Sequence, residues 1–256
     1  ESTANLVSLQ LKSAINFKER KEAEQKNTIL LDKLSKSNDE LKEYAHIVSH
    51  DLKSPLRSIS ALSTWIKMDN IDSFDKDSLQ NFDDLDITIE KMDALISDIL
   101  KFSSLDTSDE EKEKEKVDLN LLVDELTNIL YIPENISINV LSKLPTYACD
   151  KIKIQQVFQN LISNAVKFID KENGYINIDV ENLNSYYKFK IEDNGIGIEE
   201  RHFNKIFKIF QSLKQSKEST GIGLSIVKKI VNQYEGEIWL ESQLNKGTTF
   251  YFTLKK

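Results

Sequence analysis

Every glycine in the chain lies in its C-terminal half. The seven are Gly174, Gly195, Gly197, Gly221, Gly223, Gly236 and Gly247. Sequence without glycine but with periodic leucines favours long helices, because nothing in it invites the positive-φ turns that break them. Clustered glycines favour loops where backbone must approach a neighbour or a ligand closely. The chain is therefore read as a helical first part and a mixed second part, and 256 residues are enough for two ordinary domains.

In the first part the apolar positions keep a seven-residue repeat. One row is Leu31, Ala45, Leu52, Ile59 and Ile66, interrupted by Asn38; the other is Leu34, Leu41, Val48 and Leu62, interrupted by Pro55. Alternating 3/4 spacing is the pattern of a helix seam that packs on another helix. A second run, Phe82, Leu85, Ile89, Met92, Ile96 and Ile99, repeats it, and Met68 to Lys76 between them breaks the period. A helical hairpin follows. One hairpin has too little partner surface for both seams, so a homodimer making a four-helix bundle is expected.

The run from Asp109 to Lys116 mixes charges without an apolar anchor and reads as a solvated linker. Beyond it, helices are expected over 119–130, 151–168 and 221–234. Strands are expected over 136–140, 176–180, 187–191, 238–240 and 248–254. The fold class is thus an all-α hairpin followed by an α/β sandwich, a mixed sheet with helices on one face. Domain spans are expected at 1–33 (a signalling helix or the end of an upstream sensor), 34–106 (hairpin), 107–117 (linker) and 118–256. Leu6, Leu9, Leu11 and Ile15 suit either reading of the first span.

The formal net charge of −8 argues against general nucleic-acid binding, which needs basic patches. The single Cys149 excludes an internal disulfide framework, fits a reducing compartment and reads best as a small core residue. No stretch approaches the roughly 18 to 20 apolar residues that span a bilayer, so no membrane contact is expected within this segment. The chain starts on Glu1 and shows no signal peptide. It is expected to be a cytoplasmic piece of a longer protein whose sensor lies upstream.

Three patterns in the second part carry chemistry. In Asn160-Leu-Ile-Ser-Asn164-Ala-Val-Lys167-Phe168, Asn160, Asn164 and Lys167 share a helix face. Amide oxygens suit a hard cation such as Mg²⁺, the lysine suits phosphate, and Phe168 offers a flat face to a base. An ordinary polar helix face fits equally well. Asp193-Asn-Gly195-Ile-Gly197 ends a strand with an acid that can accept from an exocyclic amine; a plain turn is the simpler reading of that piece alone. Ser219-Thr220-Gly221-Ile-Gly223-Leu224 opens a helix with spaced glycines, an anion site at a helix N-terminus or a simple helix start.

In this order and spacing the three patterns resemble the ATPase domain shared by histidine kinases, type II topoisomerases, mismatch-repair ATPases and heat-shock chaperones. The resemblance implies that Asn164 holds Mg²⁺ and that Asp193 reads the adenine amine. It further implies that Asn160, Lys167, Phe168, Gly195, Gly197, Thr220, Gly221, Gly223 and Leu224 bind ATP, and that Ile198 to Thr220 forms a lid. Upstream, Ser49-His50-Asp51-Leu52-Lys53-Ser54-Pro55-Leu56 resembles the phosphoacceptor box of sensor histidine kinases. The heptad supports it independently: with Ala45 and Leu52 at a and Val48 at d, His50 falls at f, facing away from the seam. His46 falls at b without that context and is assigned no role, nor is His202.

The resemblance implies ATP-dependent phosphorylation of His50, then transfer to an aspartate on a separate response regulator. Asp51 would hold the imidazole tautomer and stabilise charge during attack. Pro55, lacking an N–H, is expected to bend the first helix just beyond His50. Ile206-Phe207-Lys-Ile-Phe210-Gln-Ser212-Leu213 resembles the family's phenylalanine box and brings Phe207 and Phe210 to the nucleotide. Relatives place an arginine near Ser212; here Lys208, Lys214 and Lys217 are the candidate γ-phosphate cations. Ser54 stands where relatives carry Thr or Asn to position a hydrolytic water for phosphatase action. The competing readings are a conformational ATPase, which would need a water-activating acid where Asn160 stands, and a nucleotide-binding dimeric scaffold.

Overall fold

The computed structural model describes residues 2–105, 115–211 and 220–256, with side chains from residue 16 onward except Glu19. The expectations placed on Ser212, Lys214, Lys217, Ser219, most of the charged run and the side chains of Leu6, Leu9, Leu11 and Ile15 lie outside the described residues. Two compact units are found, Glu1–Asp51 and Leu52–Lys256, and the division falls inside the first helix. Among the described residues no helix is long and apolar enough to cross a membrane.

Helix α1 runs unbroken from Ser2 to Asp69 and passes through Pro55, so the proline does not end it. Helix α2 spans Lys76–Ser104 and is capped by Asp75, whose side chain accepts from the Ser78 amide. In the second unit, α1 beyond Leu52 and α2 are antiparallel. Lys53 donates to Ser97 at 2.8 Å, Ser63 to Asp86 at 3.2 Å, and Lys67 pairs with Asp83 at 2.5 Å. Leu56, Ile89 and Ile96 form the small core between them. The α1 face used here is not a heptad row. Leu52, Ile59, Leu62 and Ile66 stay about half exposed, with Leu85 and Met92 of α2 also open.

The α/β part holds a five-stranded sheet in the order β2-β4-β5-β7-β6. The strands are β2 (Ile136–Val140), β4 (Gly174–Asn182), β5 (Tyr186–Asp193), β6 (Ile238–Gln243) and β7 (Gly247–Lys255). Only β2 and β4 pair in parallel, so the sheet is mixed. Helices α3 (Leu119–Ile129), α4 (Lys151–Phe168) and α5 (Gly223–Gln233) complete it. Alternation along β5 sends Phe189, Ile191 and Asp193 inward and leaves Lys188, Lys190 and Glu192 on the other face. Helix α4 answers with Ile154, Val157, Phe158, Leu161, Ile162 and Ala165, one apolar stripe at helical spacing. Phe158 meets Phe189 and Phe252 edge-on, each at 5.7 Å, and those two rings stack at 4.8 Å.

A two-stranded ribbon corrects the linker expected at 107–117. Strand β1 (Glu115–Asp118) starts inside that span and pairs antiparallel with β3 (Thr146–Cys149). Strands of four residues carry almost no periodic signal, yet Val117 is buried and so is Cys149. Tyr147 on β3 donates to the Lys255 carbonyl at 2.6 Å. Its burial raises the phenol pKa to about 12.

Candidate functional site

Helix α4 is placed by its Asp150 cap and its buried stripe, so its opposite face carries the polar residues. That face forms one wall of a cavity of about 700 Å³, lined there by Asn160, Ser163, Asn164, Lys167 and Phe168. The end of β5 supplies Asp193, the following turn Gly197, and the approach to α5 supplies Thr220, Gly221, Gly223 and Leu224. Three patterns lying some thirty residues apart in the chain thus meet in one cavity.

Asp193 is buried, and its Oδ1 accepts from the amides of Gly195 at 2.8 Å and Thr248 at 3.3 Å. Both bonds fall on one oxygen, which leaves Oδ2 to meet a donor in the cavity. Burial raises the carboxyl from 3.8 to about 6; the two backbone bonds pull against that rise. Thr248 is a partner that local sequence could not announce, since it arrives through the pairing of β7 with β5, opposite Asp193. The strand pattern was the only available signal.

Gly223 opens α5 with no side-chain cap at the preceding residue. The first amides of the helix therefore keep their N–H groups for an anion. A side chain at Gly223 would meet Asn160 Oδ1 at 2.5 Å, and the Asn160 amide nitrogen is already tied to the Gln156 carbonyl at 2.7 Å. The absence of a Cβ keeps α4 and α5 close. Gly197 has φ +71°, and a Cβ there would stand 2.1 Å from the Gln243 carbonyl oxygen. Gly197→Ala is expected to cost about 1–3 kcal/mol through strain and to shift the turn beside Asp193. Thermal unfolding beside a nucleotide titration should show both effects together.

Not every expected residue reaches the cavity. Gly195 sits beneath it, acting through its amide on Asp193. Phe207 is a correction: it packs edge-on against Phe250 at 6.4 Å, with Lys228 over its face at 5.8 Å, outside the lining. Phe210 is another: it is 60% exposed with φ +62° and also stays outside. An aromatic pair three residues apart shows in sequence as a pair; here one ring serves the sheet and the other faces solvent. Lys208 is exposed. Residues given no site role do line the cavity, among them Tyr131, Glu199, His202, Phe250, and Ala94 and Asp98 of α2.

His50 lies on α1 in the first unit with its side chain 78% exposed. Its Nδ1 is 3.2 Å from Asp51 Oδ1. His46 is exposed as well, and Ser54 is exposed in the second unit. Among the described residues no group of three or more His, Cys, Asp or Glu could hold a metal. A cation in the cavity would therefore rely on few protein ligands. The Asn164 amide oxygen is the donor type a hard cation accepts beside phosphate and water oxygens, so the residues fit Mg²⁺ on those terms.

Two family profiles match the chain. The His Kinase A (phospho-acceptor) domain matches residues 30–108, and the histidine kinase-, DNA gyrase B- and HSP90-like ATPase matches residues 149–256. Among similar proteins, Cyanobacterial phytochrome B of Nostoc sp. is 40% identical over 229 residues, covering 87% of this chain and 30% of the relative. The signal transduction histidine-protein kinase BarA of Escherichia coli K12 is 30% identical over 225 residues, 82% of this chain and 24% of the relative. The chain thus spans about a third or less of these relatives' lengths. Full-length ShkA, solved in complex with AMPPNP, shares the fold with a TM-score of 0.63 at 22% identity, covering 83% of this chain and 45% of that one. With His50 inside the first match and Asn164, Asp193 and Gly223 inside the second, the chain belongs to the sensor histidine kinases of two-component signalling.

Proposed function

We propose that this chain binds Mg·ATP in the α4–α5 cavity, transfers the γ-phosphoryl group to His50 and passes it to an aspartate of a separate response regulator. The observation that carries the reading is the buried Asp193, with one oxygen held by two backbone amides and the other left for a ligand. An adenine amine is the donor that oxygen suits. Phe168 offers its ring to the base, Lys167 lies beside the phosphate path, and the α5 amides meet phosphate oxygens. Thr220, Gly221 and Leu224 complete that end of the site. Asn164 would hold Mg²⁺, which when bound would supply neutralisation of the triphosphate charge.

With Nδ1–H donating to Asp51, the His50 Nε2 lone pair is free to attack. The N–P bond forms as the bond from γ-phosphorus to the bridging oxygen breaks, and ADP leaves. Asp51 stabilises the positive charge the ring gains and takes the Nδ1 proton as the phosphohistidine settles. High exposure suits a histidine that must meet two successive partners. Ser54, also exposed and four residues after His50, is proposed to position a hydrolytic water. The half-exposed row Leu52, Ile59, Leu62 and Ile66 is proposed to close against a second copy, giving a homodimer through a four-helix bundle. We place the domain bounds near 34–106 and 115–256, the second including strand β1, and a buried Cys149 suits a reducing, cytoplasmic setting.

The test is incubation with Mg²⁺ and γ-labelled ATP beside a His50→Gln variant. Acid-labile, alkali-stable label that the variant lacks is the expected result. A wild type that binds ATP yet stays unlabelled would favour a scaffold or a conformational ATPase.

The raised Asp193 pKa gives a pH dependence of stated sign. The group's folded value, about 6, exceeds its ordinary 3.8. Its stabilising contribution to the empty domain is therefore full below pH 3.8 and lost as pH rises through 6, on the order of 3 kcal/mol. A donor from the base reverses the preference and favours the ionised form. Adenosine, which has no phosphate to titrate, is expected to bind about tenfold more weakly at about pH 5 than at pH 7.5. Calorimetric titration at the two pH values reads it directly.

A further inference from the structure

The last two turns of α2 are fastened to the ATP-binding part by contacts of three kinds. Leu105 is buried in its core, and Leu95, Ile99 and Phe102 pack against that core. Lys229 of α5 donates to the Phe102 carbonyl at 2.9 Å and stands 4.1 Å from the centre of its ring, while Gln233 donates to the Leu105 carbonyl. These bonds satisfy carbonyls that a helix C-terminus otherwise leaves open. At the third point, Thr220 Oγ1 donates to Asp98 Oδ2 at 2.7 Å.

That last contact stands apart because of where it lies. Asp98 lines the same cavity as Asn160, Asn164, Lys167, Gly221 and Gly223, the residues assigned above to phosphate and cation. Its carboxylate is mostly covered, and its ion-pair partner Lys101, at 3.6 Å, is itself largely exposed, so water screens that pairing. Thr220 precedes the glycines that open α5, and its hydroxyl also accepts from the Ile222 amide at 3.4 Å. One hydroxyl thus joins the phosphate end of the cavity to the hairpin. Triphosphate and Asp98 carry like charge in a partly desolvated space, where such repulsion is weakly screened.

We propose that Asp98 is a triphosphate-sensing latch, which holds α2 to Thr220 while the base alone is bound and is driven off when the β- and γ-phosphates arrive. The proposal rests on the ATP-site reading. It makes Asp98 a specificity residue that discriminates by phosphate number rather than by base, and it couples filling of the phosphate end to release of the α2 terminus.

Asp98→Asn isolates the charge, because the amide oxygen still accepts from the Thr220 hydroxyl. The full chain is titrated with AMPPNP and with adenosine, and amide exchange is followed over residues 102–105. Asp98→Asn is expected to tighten AMPPNP about tenfold while adenosine stays within about twofold. In the wild type, AMPPNP and not adenosine should speed exchange at residues 102–105 several-fold, and Asp98→Asn should blunt that response. Unchanged or weaker AMPPNP binding in the variant, with adenosine unaffected, overturns the latch; weaker binding would mean that the carboxylate helps hold the nucleotide's cation. A wild type that binds neither ligand overturns the ATP-site reading itself, and the latch with it.

Discussion

Replacing Asp193 by asparagine is expected to weaken ATP binding about a hundredfold, close to 2.7 kcal/mol, while leaving the empty domain as stable or more so. The asymmetry follows from the two oxygens. Oδ1 takes the Gly195 and Thr248 amides, and an asparagine oxygen can keep that place. The new NH₂ then occupies the position of Oδ2 and turns a donor toward the donor on the base. A buried mismatch of this kind loses the bond and leaves polar groups unpaired. Stability moves the other way, because the carboxyl is already disfavoured as an anion, with its pKa near 6. A calorimetric titration together with a melting curve separates this outcome from simple unfolding, which would lower both.

Phe158→Ala is the largest expected loss of stability, about 3–5 kcal/mol. The side chain is fully buried, and its edge-on contacts with Phe189 and Phe252 tie α4 to two central strands. Removing it leaves a ring-sized cavity under the helix that carries Asn160, Asn164 and Lys167. Those residues lie on the far side of α4, so ATP binding should weaken only as far as the helix tilts or the domain unfolds. Denaturant unfolding of the variant, with and without saturating ATP, would show a large shift in midpoint that ligand partly restores.

The parts most legible in the sequence are those whose signal is local. The apolar stripe of α4 marks its own boundaries, 151–168, because Asp150 caps it and the spacing of Ile154, Val157, Leu161 and Ala165 holds to its end. The same holds for Asn164 and Lys167 on its other face, and for the exposed position of His50. What was hidden depends on pairing between distant segments. The ribbon of β1 and β3 buries Val117 and Cys149 through pairing with segments far along the chain, Val117 with Tyr147 and Cys149 with Glu115. Thr248 reaches Asp193 only because β7 lies beside β5. Asp98 reads as one more charge on a helix face until Thr220 meets it. Phe207 and Phe210 show the opposite error, a motif whose spacing fits while the packing sends both rings elsewhere. The heptad rows mark a seam larger than one hairpin covers, and α1 meets α2 through Leu56, off those rows, while Leu52, Ile59, Leu62 and Ile66 stay about half exposed.

ATP bound in the cavity is expected to phosphorylate one particular histidine. The tryptic peptide Glu43–Lys53 contains both His46 and His50. After incubation with Mg·ATP and digestion at alkaline pH, which preserves the phosphoramidate, fragmentation of this peptide by mass spectrometry places the phosphate. Phosphate is expected on His50 and none on His46. A peptide that stays unmodified while ATP occupies the cavity, or one modified at His46 alone, would contradict it.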